Sequence, residues 1–312
     1  MLIHRRSLLV LLAGLWLTLD AAQAQSGKAK KGTETIALWP GPPPAGPGPK
    51  GAETVTPKGA VKNVARPRLI VYRPKQPNGM AVLVISGGGY AQIERGKEST
   101  PAATWLQSQG ITALELVYRL PQEGWQTPHV PFQDAQRAMR LIRSRAATFG
   151  IDPQQVGVLG FSAGAHLAGT IATAPDVSRY LPVDAADHTT ARPAFAALIY
   201  PVLTMLPPFN TTQAHRNLLG EHPSREQEIA ASIERHVDAT TPKTFLAQAV
   251  DDPIAPIDNS LLLFHALRQA KVPAAMHVFQ TGGHGWGLGA PDAEVHAWPD
   301  LFKTWVTLDR AF

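Results

Sequence analysis

Residues Gly160-Phe161-Ser162-Ala163-Gly164 carry the clearest structural signal in this chain of 312 residues. The apolar run 156–159 before them predicts a buried strand, and the small-residue stretch 165–171 after them predicts a helix. A G-x-S-x-G turn between a strand and a helix is typical of a nucleophile elbow, which holds a serine hydroxyl above the carboxyl edge of a sheet. Glycines suit the strained backbone and close packing of such a turn. We therefore predict that Ser162 is a nucleophile.

Apolar strand-like runs and helical segments alternate along most of the chain. This pattern predicts a mostly parallel sheet with helices on both faces. The helix predicted at 131–147 is amphipathic, and we expect Arg137, Arg140 and Arg143 on its outer side. Residues 203–240 interrupt the alternation and are predicted to form a small cap insertion. Strands are predicted at 68–72, 81–85, 111–118, 156–159, 194–202, 244–250 and 274–279, and the other helices at 100–109 and 301–308.

The first 24 residues are predicted to be a signal peptide. A basic start, His4-Arg5-Arg6, precedes the apolar run Leu8–Leu19, and Ala22-Gln23-Ala24 is a typical cleavage site. The apolar run is about twelve residues long, whereas roughly 20 are needed to span a bilayer. We therefore expect export to the periplasm or the medium, with the mature chain beginning near Gln25 and no stable membrane insertion after cleavage.

The rest of the chain divides into a leading segment and a catalytic domain. Residues 25–66 are predicted to be a flexible tail followed by an extended strap, because nine of the ten residues 40–49 are proline or glycine. Regular structure is expected from about Arg68. Residues 67–312 are then the predicted catalytic domain.

Composition excludes several classes of function. The chain has no cysteine, which excludes disulfides, thiolate metal sites and a cysteine nucleophile. Its net charge is +5, but the folded part has no run of lysine and arginine interleaved with aromatics, so we expect no nucleic-acid partner. There is no H-E-x-x-H motif and no dense group of histidine and aspartate. We therefore expect no metal.

A nucleophilic serine needs a base, and the base needs an orienting acid. In hydrolases with this elbow, the acid and then the histidine follow the serine, each on a loop after a strand. His284 lies in the glycine-rich stretch after the last predicted strand and is the predicted base. Asp251 and Asp252 follow the strand before it. Asp252 precedes Pro253 directly and is the favoured acid, with Asp251 as the alternative.

A second glycine-rich stretch, Ser86-Gly87-Gly88-Gly89-Tyr90, follows the strand at 81–85. Its backbone amides can approach a substrate oxygen closely. We predict that the amides of Gly88 and Gly89, together with that of Ala163, form an oxyanion hole. A nucleotide loop is not expected, because Gln92 breaks the G-x-G-x-x-G pattern and no G-K-[ST] follows.

Four side chains near these motifs have weaker signals. Tyr90 and Trp286 flank the two glycine-rich loops and are candidates for binding the substrate, although aromatic residues belong to the core by default. His166, four residues after Ser162, is predicted to make a structural hydrogen bond. Asp134 is predicted to cap or tether its helix.

From about Trp39 to the C-terminus, the chain carries a set of short motifs that occur together in one family. They are the stretches 86–90, 118–120, 134–138, 157–167, 216–220, 251–253, 259–260 and 282–285. With them the chain resembles the α/β-hydrolase-fold esterases that include bacterial acetyl xylan esterases and related xylan-degradation hydrolases. The resemblance implies a Ser/Asp/His esterase without a cofactor. Ser86 departs from the wider superfamily, which often has histidine there, and Ala165 stands where a third glycine is common.

The function expected from the sequence is that of an exported serine esterase. Its substrates would be short-chain esters, acetyl esters first, on plant-wall polysaccharide or oligosaccharide. One alternative is a general short-chain carboxylesterase or lipase, and another is a catalytically silent hydrolase fold used for binding. A glycosidase would need paired carboxyl groups across a sugar, for which the serine triad gives no support.

Overall fold

The computed structural model describes residues 34–308. The predicted signal peptide and residues 25–33 of the predicted tail lie outside the described residues. The strands are β1 (Glu34–Ala37), β2 (Thr54–Val55), β3 (Val61–Lys62), β4 (Arg68–Tyr72), β5 (Ala81–Ile85), β6 (Thr112–Val117), β7 (Val156–Phe161), β8 (Phe195–Ile199), β9 (Lys243–Ala249) and β10 (Ala274–Phe279). The α-helices are α1 (Ser99–Ser108), α2 (Val130–Ser144), α3 (Ala146–Phe149), α4 (Ala163–Thr173), α5 (Gln213–Leu219), α6 (Arg225–Ala231), α7 (Asp258–Gln269) and α8 (Trp298–Thr307).

Eight of these strands form one sheet in the order β1-β4-β6-β5-β7-β8-β9-β10. Strand β4 runs antiparallel to both of its neighbours, and the strands from β6 to β10 are mutually parallel. The central strands β5 and β7 are buried throughout, as expected when helices cover both faces of a sheet. The predicted fold class, an α/β-hydrolase fold with a mostly parallel sheet, is confirmed.

Two apolar cores lie on opposite faces of the sheet, and β5 contributes to both. Leu83 and Ile85 belong to the core that includes residues of α2 and α4. Val82 and Val84 belong to the core that includes residues of α1 and α8. Because successive side chains of a strand point to opposite faces, this alternation places helices on each side of the sheet. The carboxyl ends of the parallel strands are therefore held between two packed layers.

Regular structure begins earlier than the sequence indicated. β1 pairs antiparallel with β4, and Glu34 at its start forms an ion pair with Arg73 at 2.7 Å. The strap at 40–49 is tied to the body of the protein, since Gln126 donates a backbone hydrogen bond to the carbonyl of Ala45 at 2.9 Å. A strand of four residues was not predicted, because its partners lie far away along the chain.

The segment predicted as a cap holds α5, α6 and a 3₁₀ turn at Ile233–Arg235, all between β8 and β9. Side chains from elsewhere fix its course. The Asn259 side-chain oxygen accepts hydrogen bonds from the amides of Leu203 and Thr204, at 2.8 and 3.2 Å. The Nδ2 of Asn217 in α5 donates to the carbonyl oxygen of Gly89 at 2.8 Å, which joins this segment to the glycine-rich loop after β5.

The expected outer position on α2 is wrong for Arg143, which is buried, and for Arg137. The side chain of Arg137 is 1% exposed and donates to the carbonyl of Leu38 at 2.8 Å and to Asp187 at 2.9 Å. It also pairs with Asp184. A helical pattern cannot reveal such partners, because they come from the N-terminal segment and from the turn near residue 187.

A fully buried ion pair joins the end of β6 to α2. Asp134 accepts hydrogen bonds from the backbone and guanidinium nitrogens of Arg119, and from Trp39 Nε1 at 2.9 Å. Both charged side chains are 0% exposed. Asp134 therefore tethers its helix, as predicted, and also holds the residue that precedes the proline-rich strap.

We expect Asp134→Asn to lower the free energy of unfolding by about 3–5 kcal/mol, because it leaves the buried charge of Arg119 uncompensated. The matched control is Asp176→Asn, which breaks the pair between Arg192 and an aspartate that is 72% exposed. That change is expected to cost less than about 1 kcal/mol. Urea unfolding followed by circular dichroism measures both values, and equal losses would contradict this role of the buried pair.

Candidate active site

Ser162 lies between the last residue of β7 and the first residue of α4. Its backbone has φ 50° and ψ −120°, a strained conformation for a residue with a side chain. The two flanking glycines are required by space. A Cβ on Gly164 would lie 2.4 Å from the carbonyl oxygens of Ile85 and Ser86, and one on Gly160 would lie 2.4 Å from the carbonyl oxygen of Gly164. The turn therefore has the geometry that the G-x-S-x-G pattern indicates.

The structure brings His284 to this serine from the loop after β10. Its Nε2 lies 2.8 Å from Ser162 Oγ, and its Nδ1 lies 2.7 Å from Asp252 Oδ2. A carboxylate only accepts hydrogen bonds, so Nδ1 carries the proton and Nε2 is free to accept from the serine hydroxyl. The three side chains thus form one chain of hydrogen bonds with the polarity that general-base catalysis requires.

Asp252, rather than Asp251, contacts the histidine. Its Oδ1 accepts from the amides of Ile254 and Ala255 at 2.8 and 2.9 Å, and its Oδ2 also accepts from Gln248 Nε2 at 3.0 Å. These four hydrogen bonds, that from His284 included, leave the carboxylate no freedom to rotate. Asp251 is exposed and accepts from the Gly283 amide at 2.7 Å, so it supports the histidine loop through its backbone.

The residues of the predicted oxyanion hole surround the serine. Ala163 is the first residue of α4, where helix amides point outward and the positive end of the helix dipole lies. Gly88 and Gly89 line the same cleft as Ser162. Within residues 34–308, no hydrogen bond from the amide of Gly88 or Gly89 is present. The Gly87 amide points elsewhere and donates to Glu98 Oε2 at 2.6 Å.

The serine and the histidine open into a cleft of about 880 Å³. This volume lies within the range of small-molecule binding sites, which is roughly 300–1,000 Å³. Its wall combines the backbone of the glycine-rich loop with charged, polar and apolar side chains. The lining residues are Lys58, Lys62, Gly88, Gly89, Ala91, Gln92, Glu94, Gly96, Lys97, Glu98, Ser162, Val202, Thr212, Gln213, Ala214, Ile254, His284 and Gly285.

The two aromatic candidates for substrate binding lie outside this lining. Tyr90 is completely buried, and its hydroxyl is 2.9 Å from His166 Nδ1. Trp286 packs edge-on against Tyr200, with ring centroids 4.5 Å apart. The prediction for Tyr90 is therefore wrong: it belongs to the core, with His166 as its partner. His166 is structural as predicted, because its Nε2 also lies 2.7 Å from the carbonyl oxygen of Ala231.

Ser86, which stands where the wider superfamily often has histidine, takes part in a buried chain of hydrogen bonds. Ser86 Oγ donates to Ser99 Oγ at 2.6 Å, and Ser99 Oγ donates to Glu115 at 2.5 Å. Arg95 forms an ion pair with the same carboxylate at 2.8 Å. A buried polar chain thus anchors the start of the glycine-rich loop to the first residue of α1 and to β6.

Sequence reasoning missed Glu98 and Tyr200. Glu98 is 3% exposed, and burial raises its pKa to about 7, against the opposing effect of hydrogen bonds from Gly87 and Tyr200. The Tyr200 hydroxyl donates to Glu98 Oε1 at 3.0 Å. Neither residue belongs to a recognisable motif. The only signal was a glutamate eight residues after the glycine-rich stretch, two residues before the helix predicted at 100–109.

Within residues 34–308, no three histidine, aspartate or glutamate side chains are grouped so that they could hold a metal ion. In the same part of the chain, no helix combines the length and apolar character needed to cross a membrane.

Comparison with known proteins identifies the family. The model of the family described as BD-FAE matches residues 69–267, which is more than half of the chain. An acetylxylan esterase of Xylanibacter ruminicola is 30% identical over 229 residues, which cover 71% of this chain and 44% of that protein. An endo-1,4-beta-xylanase B of Butyrivibrio fibrisolvens is 35% identical over 205 residues, covering 65% of this chain and 32% of that protein. The chain thus spans less than half the length of these curated relatives.

A solved structure is similar over nearly its whole length. It is the acetyl ester-xyloside bifunctional hydrolase from Caldicellulosiruptor lactoaceticus, which is 32% identical with a TM-score of 0.74. The similarity covers 88% of this chain and 95% of that one.

The two neighbouring aspartates offer a matched pair of substitutions. We expect Asp252→Asn to lower kcat for an aryl acetate by about 10⁴-fold, because the amide can donate to Nδ1 and so favours the wrong histidine tautomer. Asp251→Asn is expected to change kcat by less than about tenfold, since its carboxylate reaches only a backbone amide. Steady-state kinetics of both variants measure the difference. A larger loss in Asp251→Asn would contradict the assignment of Asp252.

Proposed function

The chain belongs to the BD-FAE family, and from that premise we propose that it hydrolyses carboxylic esters with Ser162 as the nucleophile. The observation that supports this most is the chain of hydrogen bonds from Ser162 through His284 to Asp252, at 2.8 and 2.7 Å. Ser162 and His284 line a cleft that is also lined by Gly88 and Gly89.

In the proposed reaction, His284 Nε2 takes the hydroxyl proton while Ser162 Oγ attacks the ester carbonyl carbon. The carbonyl oxygen becomes negatively charged, and the amides of Gly88, Gly89 and Ala163 stabilise it. The tetrahedral intermediate collapses, the carbon–oxygen bond to the alcohol breaks, and the alcohol leaves with the proton from Nε2. Water then attacks the acyl-enzyme with His284 again as base, which releases the acid and restores the serine.

Asp252 holds the imidazole and stabilises its charged form in both halves of this reaction. Its carboxylate is buried and already accepts from two backbone amides and Gln248, so its orientation is set before substrate arrives. Preorganisation of this kind lowers the barrier because no dipole has to turn during the reaction.

For the substrate we propose a short acyl ester, acetyl first, on a plant-wall polysaccharide or oligosaccharide. The names of two relatives support this: an acetylxylan esterase and an acetyl ester-xyloside hydrolase. The cleft lining also includes the polar side chains of Lys58, Lys62 and Gln92, which can form hydrogen bonds with a hydroxylated alcohol. A general short-chain carboxylesterase or lipase remains the alternative that the chain-length experiment below addresses.

We propose no glycosidase step, although one relative is named as a xylanase and the similar solved structure as an acetyl ester-xyloside bifunctional hydrolase. Glycoside hydrolysis needs one carboxyl group to protonate the leaving oxygen and a second to attack or to activate water. Glu94 and Glu98 are the two carboxyl side chains among the cleft-lining residues. Both oxygens of Glu98 are engaged, one by the Gly87 amide and one by the Tyr200 hydroxyl.

We further propose that the protein is exported. The basis is the N-terminal sequence alone: a basic start, the apolar run 8–19 and Ala22-Gln23-Ala24. Export would bring the enzyme to polymeric plant-wall substrates, which do not enter cells.

We expect Ser162→Ala to fold normally and to lower kcat for p-nitrophenyl acetate by on the order of 10⁶-fold, because it removes the hydroxyl that contacts His284 Nε2. The wild-type protein is expected to release acetate from acetylated xylan, and its kcat/KM for p-nitrophenyl esters is expected to fall from acetate to octanoate. Acetate assay and steady-state kinetics measure these quantities.

Two results would count against the proposal in different ways. Substantial activity in Ser162→Ala would overturn the mechanism. Activity that rises with acyl length would retain the mechanism and replace the acetyl substrate by the lipase alternative.

A further inference from the structure

Glu98 lies between the two loops that bear the proposed catalytic groups. Its Oε2 accepts from the Gly87 amide at 2.6 Å, and its Oε1 accepts from the Tyr200 hydroxyl at 3.0 Å. The side chain is 3% exposed, and within residues 34–308 it forms no ion pair. Burying a carboxyl group without a cation is costly. The two hydrogen bonds therefore stabilise its ionised form, together with the nearby charge of Lys97.

Tyr200 carries this contact to the histidine loop. Its hydroxyl accepts from the Gly287 amide at 3.1 Å, and its ring packs edge-on against the ring of His284, with centroids 5.0 Å apart. Gly287 also lies directly on the segment before Glu98, because a Cβ there would be 2.3 Å from the carbonyl oxygen of Lys97. Glu98 is thus connected to the loop of His284 in two ways: through the Tyr200 side chain, and through the close approach of Gly287 to the Lys97 carbonyl.

On its other side, Glu98 fixes the first glycine of the predicted oxyanion loop. A Cβ on Gly87 would lie 2.7 Å from Ser162 Cβ and 3.3 Å from Glu98 Oε2, so Gly87 is held between the nucleophile and the carboxylate. The orientation of its peptide determines where the following amides, those of Gly88 and Gly89, point. A loss of the Glu98 contact would therefore move the proposed donors relative to Ser162.

We propose that ionised Glu98 is a positioning residue that holds the oxyanion loop and the histidine loop in their reactive arrangement. This rests on the proposed esterase function. A carboxylate can accept from Gly87 and Tyr200 at once, whereas a protonated carboxyl group keeps one oxygen as acceptor and turns the other into a donor. Protonation therefore removes or reverses one of the two contacts.

The charges around Glu98 place this protonation near neutral pH. The pKa of Glu98 is raised to about 7, chiefly by burial and also by repulsion from Glu94, against the lowering effects of the Gly87 and Tyr200 hydrogen bonds and of the Lys97 charge. Burial and the nearby Glu98 charge raise the pKa values of Tyr118 and Tyr200, so both phenols stay neutral. The two ionisable groups on the far side of Tyr200 are His284 and Asp252.

The test compares Glu98→Gln with Glu234→Gln, using p-nitrophenyl acetate. Glutamine has the same shape but one acceptor oxygen, so kcat is expected to fall by about 10–100-fold, less than the roughly 10²–10³-fold for removal of an oxyanion donor. KM is expected to change less. Glu234 is a matched control, because burial raises the pKa of its carboxyl group too and it lies outside the cleft lining. Its variant should keep wild-type kcat.

The pH profile separates positioning from a merely structural role. If ionised Glu98 positions the loops, log kcat/KM of the wild type should fall more steeply below about pH 7 than that of Glu98→Gln, because only the wild type loses the carboxylate on acidification. Tyr200→Phe keeps the ring and the Glu98 charge, and is expected to lower kcat about three- to tenfold by loss of one neutral hydrogen bond. This second variant keeps the test valid if Glu98→Gln does not fold.

If Glu98→Gln keeps the wild-type kcat and the wild-type dependence of kcat/KM on acid pH, the inference is overturned. If Glu98→Gln does not fold, a wild-type kcat in Tyr200→Phe overturns it instead. A lower kcat with an unchanged slope would overturn the role of ionisation. Absence of esterase activity in the wild type itself would instead count against the proposed function.

Discussion

The close approach of α4 to the end of β5 is the constraint on which the rest of the site depends. Gly164 touches the carbonyl oxygens of Ile85 and Ser86, so the nucleophile turn and the start of the glycine-rich loop share one contact surface. Ser162 is held there at φ 50°. A larger residue at the glycine positions would separate the serine from the loop that supplies the proposed oxyanion donors. The glycines that close packing requires are therefore the same ones that keep Ser162 beside the proposed oxyanion loop.

Buried polar contacts, rather than the apolar cores alone, set the position of each loop over this surface. Asp252 is fixed by backbone amides and Gln248, the Ser86 end of the glycine-rich loop is anchored through Ser99, and Gly87 is held by Glu98. Each unpaired buried group would cost about 1–3 kcal/mol, so these networks admit one arrangement. The polar groups of the site are therefore in place before substrate binds, which is the condition for electrostatic preorganisation.

The sequence was sufficient for features that depend on local patterns. The central strands, the elbow at Ser162 and the order of the acid and histidine loops follow from apolar runs and glycine spacing. It was insufficient where distant contacts decide. Strand β1 needs β4, Arg137 is buried by partners near residue 187, and Tyr90 turns into the core to meet His166. Glu98 was missed for the same reason, since its partners belong to two other loops.

The central claim is that Ser162 is the one serine activated for acyl transfer. The most direct measurement is reaction of the folded protein with a fluorophosphonate, followed by peptide mass spectrometry. We expect one label per chain, located on the peptide that contains Ser162, and none after Ser162→Ala or after unfolding. Labelling at another residue, or no labelling of the folded protein, would contradict this account.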